Sequence, residues 1–281
     1  MCFLEFLLLL LSLTSGTLAG YFTCVATNWT FFWVGIIVSI ISYPLAFVLW
    51  LVVLIVWGKC LNTKKEVTKF SPFYYSIIRE TDTTFLHLIN VGFKRHGFER
   101  MPDDHNYVLV CNHISNFDQM ILIASLRRKN QPMSWISKPQ NMSFPIAGPF
   151  IHHAGFIPID REDPIKGMEA IKKGVSFLEK KECAMGICPE GTRNKTNDAL
   201  LPFHHGSFKL AMWANVPIVV CCLKKTKDIK KRAPFRHTRV DVDIVDVIYP
   251  NEYREKRASE VSARAREAIL EDLEKYEGDF L

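Results

Sequence analysis

Charge is missing from the front of this chain. Of its 281 residues, those from Phe6 to Gly58 include no Asp, Glu, Lys or Arg. Soluble cores are not built from uncharged runs of that length, and a membrane-spanning helix needs about 20 apolar residues. The run therefore reads as a two-helix hairpin over 1–58, with polar punctuation near Gly20 and Thr27-Asn28. Its second half, Phe31 to Trp57, is the stronger span. Pro44 inside it is tolerable where neighbours satisfy the freed carbonyl. A cleaved signal peptide competes for the first half, with Thr17-Leu18-Ala19 as its cleavage site. The start, Met1-Cys2-Phe3-Leu4-Glu5, lacks the basic residues such peptides usually carry.

Other absences narrow the function. There is no Gly-x-Ser-x-Gly segment, so no serine nucleophile elbow. There is no Cys-x-x-Cys pair; most of the eight cysteines sit in apolar runs and read as reduced thiols packed as small hydrophobes. His152-His153 and His204-His205 have no supporting ligand spacing, so no metal is expected. Aromatic–basic interleaving of the kind that stacks bases is absent, so no nucleic-acid partner is expected either. No repeat or low-complexity segment stands out. The net charge of +6 suits an anionic membrane face, a phosphate-bearing substrate or an acidic partner protein.

Lys59, Lys64, Lys65 and Lys69 follow the second span at once, which places the remainder on the cytoplasmic side. Residues 59–90 read as a connecting segment with an amphipathic helix near the membrane surface. From 91 to 281 short apolar runs alternate with helical patterns. Strands are expected at Tyr107–Cys111, Ser134–Ser137, Phe156–Ile159, Ala184–Cys188 and Ile218–Leu223, and a half-exposed one at Val240–Ile244. Helices are expected at Asp118–Arg128, Pro164–Lys181, His205–Ala214 and Ser259–Tyr276. The class is α/β: a mostly parallel sheet flanked by helices, behind an N-terminal membrane anchor.

Four segments carry chemistry. Strand Tyr107–Cys111 runs into Asn112-His113-Ile114-Ser115-Asn116-Phe117-Asp118. Open α/β sheets place ligands at the carboxyl ends of strands. Ser115 or Asn116 can cap the helix that follows, and Asp118 in its first turn can reach back to one nitrogen of His113, leaving the other free as a base. Taken alone, His-x4-Asp is better read as helix capping. Gly155-Phe156-Ile157-Pro158-Ile159-Asp160-Arg161 is a strand ending in a cation, as is the strand before Lys138; alone, each is a surface charge. Pro189-Glu190-Gly191-Thr192-Arg193 ends a buried strand in a turn presenting a carboxylate, a bare backbone, a hydroxyl and a guanidinium, which suits phosphate but is equally a plain turn. Val216-Pro217-Ile218-Val219-Val220 is an ordinary buried strand.

In that order and spacing the four blocks resemble the glycerolipid acyltransferase family, nearest the branch that acylates lysophosphatidic acid. The motifs cover 112–220 and the likeness extends over roughly 90–250. Cys188 departs from the family pattern, which commonly has Phe there; that concerns packing. The resemblance implies transfer of a fatty acyl group from a thioester of acyl carrier protein or coenzyme A to the sn-2 hydroxyl of lysophosphatidic acid, in phospholipid biosynthesis, with no other cofactor. It implies that His113 is the base and Asp118 its orienting partner. Arg161 and Arg193 would grip the phosphate with Lys138 as helper, while Glu190, Gly191 and Thr192 shape the acceptor site. The protein is expected in a membrane, a bacterial plasma membrane rather than endoplasmic reticulum. Glycerol 3-phosphate or another lysophospholipid is the alternative acceptor; non-catalytic lipid binding and lipid hydrolysis are the rival functions.

Overall fold

A computed structural model describes residues 3–24, 30–104, 106–126, 131–160 and 163–278. Two long helices lead the chain, α1 (Phe3–Cys24) and α2 (Thr30–Cys60). Both are long and apolar enough to cross a membrane. At 1.5 Å per residue α1 is about 33 Å long and α2 about 46 Å, against a hydrocarbon core of about 30 Å. Most of the large apolar side chains of both helices are exposed, as lipid-facing side chains should be. Apolar side chains gain little by meeting one another in lipid, so small and polar residues hold such helices together. Here Ser12 donates to the Ser39 carbonyl (2.5 Å) and Ser15 to the Ser42 hydroxyl (3.0 Å). Beside Ser15, a Cβ on Gly16 would lie 2.6 Å from the Gly35 carbonyl oxygen, so only glycine allows this approach.

Helix α3 (Pro72–Leu88) follows. It lies against the foot of the hairpin, where Phe85 and Leu88 pack on Leu4, Leu8 and Phe47. Trp50 Nε1 donates to Thr81 Oγ1 at 3.0 Å, and His87 pairs with Glu5.

The rest is a seven-stranded sheet. Its strands are β1 (Val91–His96), β2 (Val108–Cys111), β3 (Met133–Ser137), β4 (Ile157–Pro158), β5 (Ala184–Ile187), β6 (Ile218–Lys224) and β7 (Thr238–Ile248). Their order is β1-β7-β6-β2-β5-β3-β4. Strands β6, β2, β5, β3 and β4 are parallel to one another, β1 is parallel to β7, and β7 is antiparallel to β6. The connecting helices are α4 (Asp118–Ser125), α5 (Gly148–Ala154), α6 (Pro164–Glu179), α7 (Lys209–Ala214), α8 (Ile229–Arg232), α9 (Pro250–Tyr253) and the closing α10 (Ala258–Gly278). The central strands are buried along their whole length, which explains why they read as continuous apolar runs.

Three expectations need correction. Strand β1 was missed because Lys94, Arg95 and His96 give it no apolar run; it survives as an edge strand. Helix α5, with Pro149 and the paired histidines, was missed because it is short. The alternating segment in β7 is not half-exposed: α10 covers it, and Asp241 and Asp243 are buried. Their charges are met by Lys225 (3.6 Å to Asp241) and Lys224 (2.8 Å to Asp243), with Asp272 of α10 also 2.6 Å from Lys224.

The core has one tight point. A Cβ on Gly186 in β5 would lie 2.6 Å from the ring of Trp135, its partner on β3, and Trp135 is fully buried. Gly186→Val is therefore expected to destabilise the sheet by roughly 1–3 kcal/mol through overpacking. Urea unfolding in detergent, followed by tryptophan fluorescence, checks this; an unchanged midpoint would contradict the packing described.

Candidate active site

The carboxyl ends of β6, β2, β5, β3 and β4 share one edge of the sheet, and neighbouring strands lie about 4.8 Å apart. The loops after β2, β5 and β4 carry three of the segments singled out in the sequence, the loop after β3 carries Lys138, and the fourth segment, Val216–Val220, runs into β6 itself. Each is thus set beside the next by strand order alone.

After β2 the chain is pinned before it reaches the histidine. Asn112 is fully buried; its amide nitrogen donates to the Leu223 carbonyl (3.0 Å) and its amide oxygen accepts from the Leu223 N–H (2.8 Å). The side chain thereby closes β2 against the end of β6. His113 follows, and its Nδ1 lies 2.8 Å from Asp118 Oδ2. The same oxygen accepts the backbone N–H of Ile114 (2.7 Å) and Ser115 (2.8 Å), while Oδ1 accepts the Thr226 hydroxyl at 2.7 Å. Asp118 is completely buried. A buried carboxylate without partners would cost several kcal/mol, and four donors offset that cost. They also keep it an acceptor, so Nδ1 of His113 carries the proton and Nε2 is left to accept one.

Burial works against the charged form of His113, but the hydrogen bond to Asp118 and the nearby charges of Asp118 and Glu190 outweigh it. The imidazole pKa is raised above its ordinary value of 6.5. The ring remains partly open to solvent, with 21% of its side-chain surface exposed.

The turn after β5 locks onto this loop. Glu190 is buried, and burial raises its pKa. Its Oε1 accepts the His113 N–H (2.5 Å) and its Oε2 the Leu201 N–H (3.0 Å). From the same turn, the Asn194 N–H donates to the His113 carbonyl at 2.7 Å. Both backbone polar groups of His113 are therefore held by the neighbouring loop. Gly191 makes this turn possible with φ of +74°, a left-handed conformation that favours glycine. Beneath the site the thiols of Cys111 and Cys188 lie 3.5 Å apart, both buried, as packed free cysteines.

The sequence-derived residues thus divide. His113, Asp118, Glu190 and Gly191 form one hydrogen-bonded or turn-coupled unit. Thr192 is exposed and Arg193 half-buried beside them in the same turn. Lys138 is exposed at the carboxyl end of β3, two strands from β2, about 10 Å along the edge. Arg161 lies outside the described residues, directly after Asp160. Helix capping by Ser115 or Asn116 is not found: α4 begins at Asp118 with no side-chain cap, and Asp118 itself takes the loop amides. Asn112, Asn194 and Thr226 were not assigned roles from sequence. Asn112 was visible beside His113 but carries no signal of a cross-strand clamp. Thr226 lies 108 residues from its partner, and nothing local marks it.

Residues 92–224 match the Acyltransferase family model. The 1-acyl-sn-glycerol-3-phosphate acyltransferase of Salmonella typhimurium is 28% identical over 166 residues, 59% of this chain and 66% of that protein. The 1-acyl-sn-glycerol-3-phosphate acyltransferase alpha of Bos taurus is 27% identical over 186 residues, 66% of this chain and 63% of that protein. The matched stretch thus spans just under two thirds of these relatives' length. The crystal structure of the 1-acyl-sn-glycerophosphate (LPA) acyltransferase from Thermotoga maritima shares the fold, with a TM-score of 0.58 and 20% identity over 72% of this chain and 79% of that one. The segment 92–224, which carries His113, Asp118 and Glu190, belongs to the Acyltransferase family.

Proposed function

We propose that the protein transfers a fatty acyl group from a thioester of acyl carrier protein or coenzyme A to the sn-2 hydroxyl of lysophosphatidic acid, forming phosphatidic acid at the cytoplasmic face of a membrane. The observation that carries this reading is the 2.8 Å contact between His113 Nδ1 and a fully buried Asp118 at the sheet's carboxyl edge, with no serine elbow in the chain. The names of the relatives supply the acceptor.

In this reading His113 Nε2 removes the proton from the acceptor hydroxyl as its oxygen attacks the thioester carbonyl carbon. The tetrahedral intermediate collapses, the carbon–sulfur bond breaks, and the imidazolium returns its proton to the departing thiolate. Asp118 stabilises the imidazolium between these steps, as the carboxylate of a serine-protease triad does. The substrate alcohol stands where that triad has its serine, so no acyl-enzyme forms. Arg193 and Arg161 bind the phosphate, with Lys138 at the carboxyl end of β3 as helper. Glu190 acts through the backbone: it fixes the main chain on which His113 is mounted and is a positioning residue. The alternative acceptors, glycerol 3-phosphate and other lysophospholipids, share the phosphate and are separated only by assay.

His113→Ala should abolish acyl transfer, by a factor of at least about 10³, while membrane insertion is unchanged. The check is product formation by reconstituted protein from labelled acyl thioesters and each acceptor; full activity would end the proposal. Since the base must be neutral and its pKa is raised, kcat/KM should climb with pH through a value above 6.5. Asp118→Asn removes the carboxylate whose hydrogen bond is the largest cause of that rise, so the residual activity should show that limb shifted to lower pH; a limb that stays put would mean another group titrates. Arg193→Ala should raise KM for lysophosphatidic acid about tenfold or more and leave KM for the thioester nearly unchanged, in steady-state assays with each substrate varied in turn.

A further inference from the structure

We infer that the loop between β6 and β7, Lys225–His237, is a second membrane-contact surface that binds anionic phospholipid headgroups. Its composition is one-sided: residues 224–239 hold eight Lys or Arg and a single acid, Asp228. Lys227, Lys230, Lys231, Arg232, Arg236 and Arg239 are all exposed. Among them Phe235 is 93% exposed, the most exposed large apolar side chain among the described residues. A lone solvated loop gains nothing from an aromatic ring held in water. A ring flanked by cations is the chemistry of the headgroup region, where aromatic side chains settle and each basic residue adds attraction to an acidic leaflet.

Position supports the same occupant. The loop leaves β6 and enters β7 on the edge of the sheet that carries His113. Its return end is tied to the connector behind α3: the Thr238 N–H donates to the Asn90 carbonyl (3.0 Å), and His237 Nδ1 lies 2.9 Å from Asn90 Oδ1. Asn90 stands two residues beyond Leu88, which packs with Phe85 on Leu4, Leu8 and Phe47 of the hairpin. Leu4 lies about 30 Å along α1 from Cys24, and Phe47 about 26 Å along α2 from Thr30, the depth at which the hydrocarbon core ends. The loop is thus braced to the part of the molecule that meets the bilayer surface. An acidic carrier protein would meet the cations but gives no reason for Phe235 or for this bracing.

The test is hydrogen exchange on the full chain in nanodiscs of phosphatidylcholine alone or with about one third phosphatidylglycerol. Peptides covering 227–237 should exchange about tenfold more slowly on the anionic discs, and high salt should reverse this. The triple variant K230Q/K231Q/R232Q should lose the protection, and Phe235→Ser should weaken it. Peptides from β2 and β5 report that each variant is folded; should the triple variant fail there, Phe235→Ser alone decides. Equal exchange on both discs would overturn the inference, as would protection that survives the folded triple variant. Protection that appears only when acyl carrier protein is added would overturn it in favour of a protein-docking loop. No turnover is needed, so the result is independent of whether the proposed acyl transfer is correct.

Discussion

One buried carboxylate organises the site. Asp118 gathers an imidazole, two consecutive backbone amides and a distant hydroxyl, and each of these comes from a different constraint on the chain. The amides bend the loop so that His113 is turned back over the end of β2. The hydroxyl of Thr226 brings in the segment after β6. An ionised carboxylate is tolerable at zero exposure only while these donors are present, and they in turn have no reason to converge without it. Folding and chemistry therefore share one interaction: the group that holds the loop in shape is the group that would stabilise a charged His113.

Around it the sheet acts as a ruler. Parallel strands bring successive loops to one edge at fixed spacing, so segments far apart in sequence become neighbours without further instruction. Glu190 shows how closely they are joined. Its two oxygens bridge the His113 amide and the Leu201 amide, so the turn after β5 and the loop after β2 form one body. Asn112 does the same toward β6. Motion of one loop relative to another would break buried hydrogen bonds, each worth about 1 kcal/mol or more. His113 is thus held rigidly, while Thr192 beside it is exposed and Arg193 half-buried.

The class of fold was legible because its signals are local. Buried parallel strands must be apolar throughout, so β2 and β6 stand out as short runs of Val, Ile, Leu and Cys, and β5 as Ala-Met-Gly-Ile. Amphipathic periodicity likewise marks α10, where Val261, Ala265 and Ile269 face the core. The pairing of His113 with Asp118 needed only five residues of separation and a strand-to-helix turn. What escaped was long-range. β1 is recognisable only by its partner β7, and the acids of β7 look solvated until α10 is laid over them. Thr226 joins the site through a contact that no spacing encodes, and Asn194 acts through its backbone, where side-chain identity says nothing.

The length of α2 has a further consequence. Its last three turns run on past the thickness of a bilayer, and there Leu54 is buried in the same apolar core as the sheet while Trp57 meets Phe150 edge-on at 5.3 Å. The hairpin is therefore not a tether on which a globular enzyme swings. It is a stem continuous with the globule, so the tilt of one sets the tilt of the other. The height of the imidazole above the lipid is then a fixed dimension of the molecule, much as a plane iron is set in its stock, and shaving the stem away would leave an open wound in the body it supports.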